Sequence, residues 1–140
     1  MLCGSSGADT INGAGGDDII LAGGGDDTLV GGPGDDQLNG GQGVDAASYP
    51  GTTPVRASLA TGFAAVGTNS ADALSTIENL RGSGADDILT GSTPTANVLE
   101  GLGGTDTLKA RDERGNDTVD GGQGSDTCQR DTGDTATSCP

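Results

Sequence analysis

The chain of 140 residues contains no histidine, no tryptophan, and only one tyrosine and one phenylalanine. Without histidine, neither a Ser/His/Asp nor a Cys/His catalytic relay can form, and the usual His and Cys zinc sets are missing too. Only 6 Lys and Arg residues accompany 21 Asp and Glu residues, which gives a net charge of −15. Phosphate binding relies on Lys and Arg. We therefore predict a chain that is not an enzyme, has no catalytic residues and does not bind nucleic acid.

Long apolar runs are also missing. No segment approaches the apolar length of a membrane-spanning helix or a signal peptide, so we expect no membrane span. The first three residues, Met1 to Cys3, look like the tail of another repeat, which suggests a piece of a longer exported protein. With 28 glycines and few aromatic residues, the chain has little apolar surface to offset the entropy lost on folding.

What the chain does have is a nine-residue repeat. Five copies lie between Gly4 and Ser48, and five less regular copies follow between Gly82 and Gln129. The sixth positions hold Asp9, Asp18, Asp27, Asp36, Asp45, Asp87, Asn97, Asp106, Asp117 and Asp126. The eighth positions hold Ile11, Ile20, Leu29, Leu38, Ala47, Leu89, Leu99, Leu108, Val119 and Cys128. One inward side chain per repeat is the core of a solenoid.

Composition alone would also fit a disordered acidic linker, because low hydrophobicity and high net charge are typical of disorder. A linker has no reason to keep an aliphatic residue at a fixed nine-residue offset. The repeat therefore favours a folded solenoid over a linker.

The copies resemble the GGxGxDxUx nonapeptide of the RTX, or haemolysin-type, calcium-binding family. The resemblance implies an all-β fold, a right-handed parallel β-roll (β-solenoid) in which six-residue turns alternate with three-residue strands. It also implies several Ca²⁺ ions between stacked turns. Turns that share an ion would lie on one edge, two repeats apart. The predicted pairs are Asp9 with Asp27, Asp27 with Asp45, Asp18 with Asp36, Asp87 with Asp106, and Asp106 with Asp126.

The residue types in these turns suit a hard cation, which takes six to eight oxygen ligands. Glycine lets a turn present its carbonyl oxygens, since it tolerates positive φ. The predicted metal-site aspartates are Asp9, Asp18, Asp27, Asp36, Asp45, Asp87, Asp106, Asp117 and Asp126. The predicted metal-site glycines are Gly7, Gly13, Gly16, Gly23, Gly25, Gly31, Gly32, Gly34, Gly40, Gly41, Gly43, Gly101, Gly104, Gly121, Gly122 and Gly124.

Some positions depart from the pattern. Asn97 is neutral, and its repeat contains an extra residue. The 110–120 repeat replaces the early glycines with Ala110, Arg111 and Asp112. We therefore expect the site between Asn97 and Asp117 to be weak or empty. The acids at the fifth positions, Asp17, Asp26, Asp35 and Asp86, either bond the backbone of their own turn or add further ligands.

Residues 49–81 interrupt the repeats with a composition rich in alanine, threonine and valine. Val55, Ala57 and Leu59 alternate as in a strand, and Phe63 and Ala65 indicate a second one. The run from Ala47 to Ser83 resembles a segment often found between repeat blocks of the same family. Glu78 and Asn79 then have a structural role, with a ligand or a partner-binding surface as the alternatives. We predict a first repeat block (1–48), a β-rich insert (49–81) and a second, degenerate block with a C-terminal cap (82–140), as one continuous domain.

The three cysteines indicate whether the protein resides in oxidising or reducing surroundings. Cys128 and Cys139 either close the last coil as a disulfide or remain two free buried thiols. Cys3 is then left over as a surplus thiol, or it pairs with an upstream segment or with another chain. An acidic calcium-binding chain with a disulfide suits oxidising surroundings, so we predict a secreted, extracellular protein.

These observations predict a non-enzymatic calcium-binding module that folds on binding calcium outside the cell and acts as a stabilising or spacer domain. Its predicted partners are calcium ions and further domains of a longer chain. Two alternatives stay open at this point. One is a non-catalytic C-terminal appendage of a secreted enzyme of the protease or lipase type, and the other is an ice- or surface-binding solenoid.

Overall fold

The computed structural model describes residues 1–110 and 116–139, so Arg111 and Asp112 lie outside the described residues. Within the described ranges the chain forms sixteen short strands and no helix. The first eight strands are β1 (Leu2–Cys3), β2 (Thr10–Asn12), β3 (Ile19–Gly24), β4 (Thr28–Val30), β5 (Gln37–Gln42), β6 (Ala46–Ser48), β7 (Val55–Ser58) and β8 (Phe63–Val66). The others are β9 (Ser70–Ser75), β10 (Asn79–Arg81), β11 (Ile88–Thr90), β12 (Val98–Glu100), β13 (Thr107–Lys109), β14 (Thr118–Asp120), β15 (Thr127–Gln129) and β16 (Thr135–Thr137).

Strands from consecutive repeats fall alternately on two sheets. One sheet has nine strands in the order β1-β3-β5-β9-β8-β7-β11-β13-β15. The other has seven in the order β16-β14-β12-β10-β6-β4-β2. Within each repeat block neighbouring strands pair in parallel, with residues two repeats apart facing each other, as Ile20 faces Leu38. The chain is therefore a parallel β-solenoid of about seven coils, as its period predicts.

The eighth-position residues form the core between the two sheets. Leu29, Leu89, Leu99, Leu108 and Val119 are fully buried. Ile11 and Cys128, in the terminal coils, are only partly buried against the same cluster. Burying a leucine contributes about 1.5–3 kcal/mol, so one such residue per nine makes a thin but continuous core. The prediction of one inward side chain per repeat is confirmed.

The insert continues the nine-stranded sheet. β7 and β8 are antiparallel, as are β8 and β9. β9 then pairs in parallel with β5 of the first block, and β7 with β11 of the second. Both predicted strands are present, although β7 ends at Ser58 and leaves Leu59 in the turn that follows. The inward residue of β8 is Ala64, while Phe63 is 48% exposed. The sheet therefore runs without a break from one repeat block to the other.

Candidate metal centre

The sixth-position aspartates form two rows, one along each edge of the roll, because each strand follows directly after its turn. In each row the Oδ1 atom of one aspartate accepts the backbone N–H of the sixth-position residue one coil earlier. The N–H of Asp9 donates to Asp27 at 2.7 Å, Asp18 to Asp36 at 2.8 Å, Asp27 to Asp45 at 2.9 Å, Asp87 to Asp106 at 2.8 Å, and Asp106 to Asp126 at 2.9 Å. The structure thus brings together the members of each of the five predicted pairs.

The second carboxylate oxygen is the unusual feature of these rows. The Oδ2 atoms of Asp27, Asp36, Asp45, Asp106 and Asp126 are buried and have no hydrogen-bond partner among the protein groups that the structure describes. Leaving a buried acceptor unpaired costs about 1–3 kcal/mol, and more when it is charged. We call these five open carboxylates. Each one needs a cation or a proton.

The turn glycines fall into two groups with different roles. Those at the second and fourth positions have positive φ, which turns the backbone of each turn: Gly16, Gly23, Gly25, Gly32, Gly34, Gly41, Gly43, Gly104, Gly122 and Gly124. Those at the first position do not, and there an added Cβ would lie against the carboxylate of the same repeat: Gly13, Gly31, Gly40, Gly101 and Gly121. Gly7 has neither property. The first-position glycines therefore make room for the carboxylate of their own repeat.

Side chains alone do not complete a site. No group of three or more His, Cys, Asp or Glu side chains converges on one point within the described ranges. The turn carbonyls are close by, however. A Cβ at Gly41 would collide with the carbonyl oxygen of Gly23, and one at Gly43 with that of Gly25, so adjacent turns are in contact. A set of carboxylate and carbonyl oxygens without sulfur or imidazole fits Ca²⁺ rather than a transition metal.

Burial makes three of these carboxylates, Asp36, Asp45 and Asp106, harder to ionise. Desolvation raises the pKa of Asp36 and Asp45 above the usual 3.8, against the opposing effect of the N–H that each accepts. Desolvation likewise raises the pKa of Asp106 to about 6, and the charges of Asp87 and Asp126 add to the rise. A bound calcium ion would supply positive charge that stabilises the ionised form.

Two sixth-position aspartates are closed by the protein itself. The backbone N–H of Ser5 donates to Oδ2 of Asp9 at 2.6 Å. Ser83 does the same for Asp87 at 2.5 Å. Serine stands at the second position of both turns, and neither serine has positive φ. We call Asp9 and Asp87 closed carboxylates, because the Oδ2 atom of each already accepts a hydrogen bond from its own turn.

Asn97 is satisfied in a similar way. Its Oδ1 accepts the N–H of Ser92 at 2.6 Å, and its Nδ2 donates to the carbonyl oxygen of Glu78 at 2.7 Å. Its own N–H donates to Oδ1 of Asp117 at 2.8 Å. The amide therefore spans the two coils with protein hydrogen bonds alone, which supports the prediction of a weak or empty site there.

The fifth-position acids accept hydrogen bonds from the next coil and not from the backbone of their own turn. Asp17 accepts the N–H of Asp35 at 3.0 Å, and Asp26 that of Val44 at 2.9 Å. In the same way, Asp35 accepts the N–H of Ala71 and Asp86 accepts that of Thr105, each from the next coil. The bonds link neighbouring coils because the carboxylate points along the stack. The prediction of a bond within the turn was wrong.

Three acidic residues outside the nonapeptide pattern accept hydrogen bonds from sixth-position N–H groups, as the sixth-position aspartates do. Asp72 accepts the N–H of Asp36, Glu78 that of Asp45 and Asp134 that of Asp117. Sequence reasoning gave Glu78 a structural role by default and missed the other two as sixth-position residues. A leucine two residues after Asp72 was the available signal.

The last coil is closed covalently. Cys128 and Cys139 form a disulfide, with their Cα atoms 5.8 Å apart. Cys3 is a free, exposed thiol in β1. The structure thus favours the disulfide alternative over two free thiols.

Stacked glycine turns, rows of buried carboxylates and one aliphatic residue per repeat define a calcium-binding parallel β-roll. The sequence profile of the RTX calcium-binding nonapeptide repeat (4 copies) matches residues 4–29, 15–46 and 93–128, which is more than half of the chain. This protein belongs to that family, whose repeats bind calcium.

A search of solved structures gives a partial match. The crystal structure of the extracellular lipase LipA from Serratia marcescens aligns with 90% of this chain at a TM-score of 0.48 and 23% identity. The chain spans 26% of the lipase. No curated protein sequence matches the chain. In the part of the chain that the structure describes, no helix could cross a membrane.

Proposed function

We propose that this chain is a non-enzymatic module that folds when it meets calcium outside the cell and then stabilises or spaces a longer protein. The observation that carries the proposal is the set of open carboxylates, Asp27, Asp36, Asp45, Asp106 and Asp126. With a net charge of −15, two stacked rows of carboxylates oppose the compact state until they are neutralised.

The same geometry couples binding to folding. Each proposed site is built from two turns that are distant in sequence, so it does not exist in the unfolded chain. The free energy of binding several ions then becomes free energy of folding. The disulfide between Cys128 and Cys139 supports an oxidising location, where such bonds persist. The partners in this proposal are calcium ions and further domains of a longer chain.

Far-ultraviolet circular dichroism during a calcium titration tests this proposal. The protein is first treated with a chelator, and magnesium serves as the control, because it dehydrates reluctantly and demands a near-octahedral site. We expect a cooperative gain of β signal with calcium and none with magnesium at the same concentrations. A spectrum that calcium leaves unchanged would remove calcium-coupled folding from the proposal.

A further inference from the structure

The segment Gly67–Ser75, inside the insert, is a repeat in structure although its sequence, GTNSADALS, keeps only one glycine. Asp72 stands at its sixth position and Leu74 at its eighth. Leu74 faces Leu38 in the parallel pairing of β9 with β5, as Leu38 faces Ile20 one coil earlier. The segment lies outside the residues that match the family profile.

Three backbone contacts of a regular repeat recur here. The N–H of Asp36 donates to Oδ1 of Asp72 at 3.1 Å, as that of Asp18 donates to Asp36. The N–H of Ala73 donates to the carbonyl oxygen of Asp36 at 2.8 Å, as Gln37 does to Asp18. A third contact joins the fifth positions, where Asp35 accepts the N–H of Ala71 at 3.0 Å. The insert therefore adds a complete turn to this edge of the first block.

Asp72 is the most buried of the acids that the insert contributes. Its exposure is 0%, that of Asp36 is 1%, and the Oδ2 atoms of both lack a partner within the described part of the chain. Two ionised oxygens in adjacent turns, shielded from water, repel each other strongly unless a cation lies between them or one of them is protonated.

Tyr49 adds a third oxygen at the same place. Tyr49 is 7% exposed, and its hydroxyl lies beside the Asp72 carboxylate without ordinary hydrogen-bond geometry. Burial raises the pKa of this phenol, and the charges of Asp72 and Asp36 raise it further, so the hydroxyl stays neutral. A neutral hydroxyl oxygen beside two carboxylates is a suitable addition to a hard-cation site.

We propose that Asp36 and Asp72 hold a calcium ion between them, so that the insert supplies a metal ligand and Tyr49 lies beside the ion. Turn carbonyls would provide the remaining oxygens, as at the other open carboxylates. This inference rests on the proposed function and extends it to a site that the nonapeptide pattern does not contain. The site fastens the insert to the first repeat block.

The single tyrosine provides the test, because the chain contains no tryptophan. Terbium(III) is a hard ion that replaces calcium and emits when a nearby excited tyrosine transfers energy to it. With full-length protein and excitation of tyrosine, we expect terbium emission that calcium competes away. Tyr49→Phe should abolish this emission and leave the calcium-induced circular dichroism signal in place.

Two matched variants locate the ion. Asp72→Asn should lose the sensitised emission, whereas Asp120→Asn, in β14 and outside the carboxylate rows, should keep it. Circular dichroism in calcium verifies that each variant folds. Emission that survives Asp72→Asn would overturn the inference, as would a wild-type protein that folds with terbium but gives no sensitised emission. These results are distinct from a failure of the proposed function, in which calcium and terbium would induce no folding at all.

Discussion

The first turn of each repeat block differs from the turns that follow it at the second position. Ser5 and Ser83 direct their N–H groups onto Asp9 and Asp87. In the turns that lead to Asp27, Asp36, Asp45, Asp106 and Asp126, the second residue has positive φ and donates no hydrogen bond to the carboxylate: Gly23, Gly32, Gly41, Leu102 and Gly122. The conformation of one residue thus decides whether the carboxylate is closed by the protein or left open for an ion.

The largest expected difference is between an open and a closed carboxylate. Asp45→Asn should lower the free energy of unfolding in saturating calcium by about 3–5 kcal/mol, because it removes one partner of a buried charge pair. Asp9→Asn should cost about 1 kcal/mol, since it weakens hydrogen bonds near the surface. Urea unfolding in calcium measures both. Equal losses for the two variants would contradict the distinction between open and closed carboxylates.

Acid should partly replace calcium at two buried carboxylates, Asp72 and Asp106. Desolvation raises the pKa of Asp72 and Asp106 to about 6 in the folded chain, above the usual 3.8. The folded state therefore binds more protons than the unfolded state between these values, and its stability falls as the pH rises through about 6. Chelator-treated protein should gain β signal when the pH is lowered from about 7 to about 4. A loss of β signal over this range would show that other groups dominate, and a double Asp72→Asn, Asp106→Asn variant should respond less.

Three glycine variants separate strain from crowding in the turns. Gly41→Ala should destabilise most, because an alanine there has φ of 99° and its Cβ collides with the Gly23 carbonyl. Gly16→Ala meets no atom within 4 Å but keeps the unfavourable φ of 91°, so we expect a loss of about 1–2 kcal/mol. Gly7→Ala has open space and no positive φ, and should be neutral or slightly stabilising. If the three variants rank differently in their thermal unfolding temperatures, backbone strain and Cβ crowding do not determine the stability of these turns.

A modest effect of the opposite sign is expected at Leu102, the one leucine at the second position of an open turn. Its φ of 74° is unfavourable for a residue with a Cβ. Leu102→Gly should raise the free energy of unfolding by about 1 kcal/mol. Leu102→Ala keeps the strain and serves as the control. A gain with alanine as large as the gain with glycine would show that side-chain exposure, rather than backbone strain, is the cause.

The sequence predicted the parts of the structure that repeat. A period of nine with one aliphatic residue fixed the two-sheet roll, the inward position of Leu29 or Leu99, and the stacking of Asp27 on Asp45. Each follows from a local pattern that the stack propagates unchanged. The open and closed states were not predictable in the same way, because they depend on how one N–H is directed by the φ of the second residue.

The contribution of the insert was predicted least well. GTNSADALS lacks most turn glycines, so Asp72 carries no motif. Its position beside Asp36 depends on the antiparallel strands β7 and β8, which precede β9 in the chain and return it to β5. The metal ligands themselves remain predictions from the family pattern and from the geometry of the open carboxylates. What the structure adds is the set of candidate carboxylates whose Oδ2 atom has no hydrogen-bond partner in the described part of the chain.

The direction of the carboxylate rows has a consequence for the order of assembly during synthesis. From Asp9 to Asp117, each sixth-position N–H donates to a residue that is made later, eighteen residues on for Asp9 or Asp27. The acceptor of the Asp36 N–H is Asp72, 36 residues later, and the acceptor of the Asp45 N–H is Glu78, 33 residues later. The first block alone therefore leaves the N–H groups of Asp36 and Asp45 without their acceptors. The growing chain completes the hydrogen bonds of each coil only after the next coil has been made.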